Sequence, residues 1–155
     1  YDLALNGDGQ FSGFLTIADS YSSTKSGNLA NYYAAICLMN LGSTDSSKYY
    51  EDALKSLSNF NTDDEILHSL SIGLKGDANL ELGNTSEALE FYELAATNKQ
   101  NEFTTPYFLM KQAFIHEKNE NYSKALDIYK SIQSEYPNSR EGTDIEKYIS
   151  SASNR

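Results

Sequence analysis

The sequence is poor in residues that restrict or cross-link a chain: it has no tryptophan, one cysteine and two prolines among 155 residues. The single cysteine, Cys37, excludes an intrachain disulfide. It lies in the apolar stretch 34–39, so we interpret it as a small core residue rather than a nucleophile. No apolar run approaches the roughly 20 residues that a membrane-spanning helix needs.

Positive charge is also scarce, with 12 Lys and Arg against 22 Asp and Glu and a formal net charge of -10. This balance argues against nucleic acid or an anionic membrane surface as the main partner. We therefore expect a protein or peptide partner, and a basic or neutral one is easier to accommodate. The alternative is that the acidity only keeps the protein soluble.

The residue patterns of catalytic sites are missing as well. His68 and His116 are far apart, and no Cys or His spacing is typical of zinc. The acidic run 63–65 is better explained as first-turn charge that the helix dipole favours. The short segment 7–9 lacks the longer glycine pattern that cradles phosphate. We predict no enzymatic activity, no cofactor and no metal.

Apolar residues recur at steps of three and four, which predicts helices throughout. Asn28 is a predicted N-cap of a helix that reaches about Leu41, and residues 43–48 are predicted to form a polar loop. A capping box formed by Thr62 and Glu65 would open a helix that ends at Gly83. Thr105 and the following proline would begin another helix, which runs to about residue 118.

An internal repeat is the strongest signal in the sequence. Ala53, Ala88 and Ala125 are spaced 35 and 37 residues apart, and a large side chain follows each of them four residues later. Small residues let two antiparallel helices approach closely, and large residues fill the space around the crossing. Each helical pair then leaves an apolar face that only the next pair can cover, so the pairs must stack.

These residues resemble the tetratricopeptide repeat family, most clearly through Gly76, Gly83, Ala88, Tyr92 and Ala95 of the middle copy. The third copy carries the same pattern at Ala113, Tyr122, Ala125, Tyr129 and Pro137. The resemblance implies an all-α fold, a right-handed α–α superhelix of helical hairpins in a single domain spanning 1–155. Its predicted parts are a partial repeat at 7–24, repeats at 28–61, 63–99 and 105–139, and a capping helix at 141–152.

The resemblance further implies a non-catalytic scaffold or adaptor that binds a peptide or partner protein in a concave groove lined by the first helix of each pair. The implied groove residues are Tyr32, Ile36, Asn40, Asp77, Leu80, Glu81, Tyr107, Met110, Phe114 and Lys118. Two alternatives stay open: the apolar members pack between adjacent repeats, and Asp77 and Glu81 are simply solvated. A different function is also open, namely a structural self-association or intramolecular packing module with no groove ligand.

Residues 3–9, 19–30 and 32–35 are also similar to tetratricopeptide proteins of the bacterial envelope. That resemblance implies an N-terminal membrane anchor upstream of Tyr1 and a repeat domain on the periplasmic side of the inner membrane, in some cases beside the secretion machinery. We expect this location, with the cytoplasm as the alternative, and no direct membrane contact by the segment itself.

Overall fold

A computed structural model of the chain describes residues 1–42 and 47–155, and these residues form an all-α fold. This confirms the predicted fold class of tetratricopeptide-like helical repeats. The described helices are α1 Asp2–Asn6, α2 Phe14–Ser20, α3 Lys25–Gly42, α4 Ser47–Asn59, α5 Glu65–Glu81, α6 Thr85–Thr97, α7 Thr104–Lys118, α8 Tyr122–Glu135, α9 Arg140–Thr143 and α10 Ile145–Ser153. None of these helices is long and apolar enough to cross a bilayer.

Consecutive helices pack as hairpins, α3 with α4, α5 with α6 and α7 with α8. The first helices of successive pairs also contact each other, α3 with α5 and α5 with α7. These contacts line up α3, α5 and α7 as one layer, and stacked hairpins curve to give such a layer an extended concave surface. At the C-terminal end, α10 packs against α8 and α9 contacts both α7 and α8.

The repeated alanines lie at the helix crossings, as the spacing predicts. Ala53, Ala88 and Ala125 are each fully buried. Gly76 lets α5 approach α6 because a Cβ there would lie only 2.6 Å from the ring of Tyr92. The packing residues of the repeat are therefore correctly predicted from the sequence.

The turns after α5 and α7 share one geometry although their sequences differ. Gly83 has φ of 82°, and Glu120, at the equivalent place, has φ of 58°. In both turns the next residue donates a backbone hydrogen bond to a carbonyl five residues earlier, Asn84 to Asn79 and Asn121 to His116. These bonds form the Schellman arrangement, which satisfies carbonyls that the helix end leaves free.

Two helices start at different residues from those predicted. Helix α3 begins at Lys25, where the Thr24 hydroxyl accepts a hydrogen bond from the Gly27 amide at 3.1 Å. Asn28 is therefore not an N-cap. Its side chain makes two hydrogen bonds, of 2.7 and 3.0 Å, to the backbone of Asn61. Helix α5 is capped by Asp64, whose carboxylate accepts from the Leu67 amide at 2.8 Å.

Helix α7 also starts earlier than predicted, at Thr104. The Asn101 side chain accepts hydrogen bonds from the amides of Phe103 and Thr104, so capping occurs one turn before the predicted position. Pro106 still lies in the first turn, where its missing N–H leaves no intrahelical bond unmade.

The remaining differences concern connections. Of the predicted loop 43–48, residues 43–46 lie outside the described residues, and Ser47 and Lys48 belong to α4. The predicted capping helix 141–152 is divided into α9 and α10 at Asp144. The Ser139 hydroxyl caps α9 by accepting from the Gly142 amide at 2.9 Å, so a separate turn precedes the last helix.

Candidate functional site

The candidate site centres on the face of α7 that carries Tyr107, Lys111, Phe114 and Lys118. Their spacing of three and four residues places all four side chains on one side of the helix. Tyr107 and Phe114 are 40% and 43% exposed, although both are large aromatic residues in a first helix of the repeat. The surface around them is therefore open rather than closed by a neighbouring helix.

Four neighbouring cavities surround this face of α7. The first has a volume of about 490 Å³ and lies between α7 and the two C-terminal helices. A cavity of about 260 Å³ extends from it past Tyr107 toward the start of α7. Two more, of about 350 and 240 Å³, border Phe114 and Lys118. Because Phe114 lines three of the four cavities, it stands at the centre of the surface.

Asp77, one of the predicted groove residues, is engaged within the protein. Its Oδ1 accepts a hydrogen bond of 2.5 Å from the Tyr92 hydroxyl and lies 2.6 Å from Nζ of Lys111. The Lys111 ammonium also lies 5.2 Å from the ring centroid of Tyr107 and 5.4 Å from that of Tyr92. This network ties α5 to α6 and α7 and neutralises the Asp77 carboxylate internally.

The network shifts the ionisation of both of its donors. Burial, followed by the hydrogen bond to Asp77, raises the pKa of Tyr92 well above its ordinary value, so the phenol stays protonated. Burial alone would lower the pKa of Lys111, but the charge of Asp77 and its hydrogen bond more than offset that effect, and the pKa is raised. Both groups therefore keep their protons at neutral pH.

The other two predicted residues of α5 lie at the edge of the cavities. Leu80 is half-buried and lines the cavity of about 240 Å³ beside Tyr92. Glu81 is exposed at the end of α5. Burial and the nearby Glu81 carboxylate raise the pKa of Tyr50, which lies on α4. Glu81 therefore interacts with the preceding repeat.

The three predicted residues of α3 do not line these cavities. Tyr32 is only 6% exposed and packs against Phe60, with ring centroids 5.1 Å apart. Ile36 is half-buried against the same cluster. Asn40 is exposed, and its Nδ2 donates to the Ile36 carbonyl at 2.8 Å. Tyr32 is therefore a packing residue, and its contact with Phe60 lies within the predicted repeat 28–61.

On α7 itself, Met110 is only 7% exposed and belongs to the core formed with α8 and α10. It nevertheless borders the cavity of about 490 Å³. Tyr107, Met110, Phe114 and Lys118 thus meet at one surface, which Leu80 joins from α5.

Six residues that line the cavity of about 490 Å³ were not predicted as groove residues, namely Lys111, Arg140, Glu141, Asp144, Lys147 and Tyr148. Lys111 shares the face of α7 with Tyr107 and Phe114, so helical spacing alone could have included it. Arg140, Lys147 and Tyr148 come from α9 and α10 and line the same cavity of about 490 Å³. No sequence pattern indicates their position, because it depends on how the chain turns after α8.

The two histidines lie on different helices, α5 and α7. His68 Nε2 lies 2.8 Å from the Asn98 side-chain amide, and His116 is on α7. Burial and the charge of Lys124 lower the pKa of His116. Within residues 1–42 and 47–155, no group of three or more His, Cys, Asp or Glu residues could hold a metal ion.

Fold and surface together define a helical-repeat protein with an open, aromatic surface on its first-helix layer. The repeat is of a particular family: residues 107–139 match the family model described as tetratricopeptide repeat. The match covers most of α7, all of α8 and the turn after it, and it confirms the resemblance predicted from the sequence. No curated protein and no solved structure matches the chain.

Tetratricopeptide repeats are generally non-catalytic and typically mediate contacts with proteins or peptides. Repeats of this kind use an extended concave surface for binding. The matched segment contains Tyr107 and Phe114, so the family match and the open aromatic surface fall on the same helix.

Proposed function

We propose that this protein is a non-catalytic interaction scaffold that binds a peptide or a partner protein along the concave layer of first helices. The observation that carries the proposal is the exposure of Tyr107 and Phe114 beside neighbouring cavities that share lining residues. Aromatic residues are enriched in the cores of protein interfaces and among the residues that dominate binding energy. Two such residues, seven positions apart on one helix face, suit an extended chain or a partner helix.

The local structure supports binding rather than simple packing at this place. The Asp77–Lys111 pair fixes α7 against α5 through a contact of 2.6 Å. Tyr107 contacts Lys111 and Phe114 contacts Tyr148, yet 40% and 43% of these two residues stay exposed. A rigid helix that presents exposed aromatic rings binds at a low entropic cost.

The test is a capture experiment with the immobilised protein and an extract of its source. The double variant Tyr107→Ala/Phe114→Ala should lose a captured protein that the wild type retains. Leu94→Ala is the matched control, because Leu94 is 46% exposed on α6 and lines none of the cavities around Phe114. Equal capture by the wild type and the double variant would contradict binding at this surface.

The second candidate function is structural self-association with no groove ligand. It is favoured by Tyr1, Leu3 and Phe11, which are large, apolar and well exposed near the first helices. Light scattering over a range of concentrations separates the two functions. A dimer that a peptide cannot enter, and that Phe11→Ser converts to monomer, would support the structural function. A monomer that binds through Phe114 supports the scaffold.

The similarity to envelope tetratricopeptide proteins supports a proposed site of action on the periplasmic side of the inner membrane, in an envelope or secretion-associated complex. The cytoplasm is the alternative. Fractionation of cells that express the full-length gene product, with and without protease added to spheroplasts, distinguishes the two. Protection of the repeat domain in intact spheroplasts would place it in the cytoplasm.

A further inference from the structure

The cavity between α7 and the two C-terminal helices combines aromatic walls with positively charged groups. Phe114 and Tyr148 are in contact, with ring centroids 5.5 Å apart and ring planes tilted by 60°, and Tyr107 lines the same cavity. Its volume of about 490 Å³ is in the range of sites that enclose a ligand group. The walls suit a large apolar or aromatic side chain.

Of the three cations that line this cavity, Arg140 is the one that forms no ion pair with another described residue. Lys111 is paired with Asp77, and Lys147 lies 3.2 Å from Asp144. No ion pair of Arg140 occurs among the described residues. Arg140 also lines the adjoining cavity of about 260 Å³, so this residue borders both cavities.

The position of Arg140 is defined by the turn before it. Ser139 is buried, its hydroxyl donates to the Tyr136 carbonyl at 2.8 Å, and it accepts from the Gly142 amide at 2.9 Å. Arg140 therefore starts α9 from a fixed backbone. Its side chain is exposed. An arginine guanidinium can bind a carboxylate through two parallel hydrogen bonds.

The charge of the whole surface differs from that of the chain. The residues that line the four cavities include five of the 12 Lys and Arg but only four of the 22 Asp and Glu. Lys111 is already paired with Asp77, so the remaining charges of the surface balance, in a chain whose net charge is -10. The preference for a basic or neutral partner that the overall charge suggests does not apply at this place, because short-range pairs outweigh distant charges screened by salt.

We propose that this cavity binds an internal segment of a partner protein in which an aromatic or large aliphatic side chain stands beside an aspartate or glutamate. The apolar side chain packs on the exposed sides of the Tyr107 and Phe114 rings, and the neighbouring carboxylate binds Arg140. The proposal rests on the proposed function and specifies the partner's chemistry at one end of the surface.

The test begins with selection of random peptides, displayed without a free C-terminus, on the immobilised protein. Enriched peptides should place an acidic residue within a few positions of an aromatic or large aliphatic one. Their affinity should fall about tenfold or more in Arg140→Glu, since hydrogen bonds between charged groups are among the strong ones. Lys130→Glu, an exposed site on α8 outside these cavities, makes the same change in net charge and should leave affinity within about twofold.

The outcomes distinguish this inference from the proposed function. Enriched peptides that are basic, or whose binding needs Phe114 but not Arg140, would contradict the inference that the partner segment is acidic. The proposal of binding in the groove would still stand. A selection that yields no peptide dependent on Phe114 would overturn both. Circular dichroism of Arg140→Glu and Lys130→Glu confirms that each variant is folded before its affinity is compared.

Discussion

The packing of α5 against α7 makes a sharp prediction at Gly73. A Cβ at this position would lie 1.9 Å from Cε1 and 2.1 Å from Cζ of Phe108. Carbon atoms in contact are normally about 3.5–4.0 Å apart, so the ring would have to move by roughly 1.5 Å or more. Phe108 is fully buried and stacks on Tyr92 with ring centroids 6.2 Å apart, so it has little room to move.

Two effects of Gly73→Ala oppose each other. Alanine is the better helix former, by about 1 kcal/mol in a helix interior. Overpacking of a filled core typically costs about 1–3 kcal/mol. Because the overlap with Phe108 is severe, we expect the upper end of that cost and a net loss of about 2 kcal/mol in the free energy of unfolding.

Urea unfolding followed by circular dichroism measures this change, with the slope of the transition serving as a check on two-state behaviour. The control is the same substitution in a Phe108→Leu background, where the colliding ring atoms are absent. There Gly73→Ala should cost at least about 1 kcal/mol less, as expected for two residues in contact. A variant that is more stable than the wild type, or an equal cost in both backgrounds, would refute the close approach.

Three further predictions concern caps, turns and ionisation. Glu120→Gly should raise the free energy of unfolding by about 0.5–1 kcal/mol, because glycine adopts a φ of 58° more easily than glutamate does. No increase in urea unfolding would contradict the positive φ at this turn. Asp64→Ala should lower the free energy of unfolding, measured by thermal unfolding, by about 1 kcal/mol, and Thr62→Ala should lower it by clearly less. The reverse order would support the capping box of Thr62 and Glu65 instead. Stability should fall above about pH 10 by up to about 1.4 kcal/mol per pH unit through Tyr92, because the unfolded phenol then ionises while the folded one, with its raised pKa, does not. Tyr92→Phe should flatten that slope in unfolding measured from pH 8 to 11, and an unchanged slope would contradict it.

The helical repeat was predictable because it rests on local spacing. Ala88 and Ala125 recur at the helix crossings, and large residues follow at fixed steps. They recur because the two helices of every hairpin pack against each other in the same way. Helix starts were less predictable because several polar side chains compete for the same free amides. Asp64 and Thr62 are both able to cap α5, and the path of the preceding chain selects Asp64.

The candidate site was predictable only where one helix supplies it. Tyr107 and Phe114 follow from the period of α7, and both prove exposed. Tyr32 occupies a similar place on α3 but is buried, because Phe60 packs over it. Periodicity cannot distinguish these cases, since it does not show which side chain from elsewhere in the chain covers a given face of the first helix.

The position of Arg140 at the site could not be predicted from the sequence, for a different reason. Its position depends on the turn capped by Ser139, which directs α9 across the end of α7. The amino-acid pattern indicates a helix in that region but not where the turn points it. The net charge of the chain is a poor guide to the partner's charge for the same reason. It sums charges from surfaces that the tertiary structure keeps apart.

The most direct test of the central claim is to map where a peptide binds. Backbone amide chemical shifts of the labelled protein, measured during titration with the tightest selected peptide, report the contacted residues. Binding in the groove predicts that the largest shifts fall in 107–118 and 140–148. Largest shifts in α4 and α6 instead, or saturating binding that persists in Tyr107→Ala/Phe114→Ala, would contradict it.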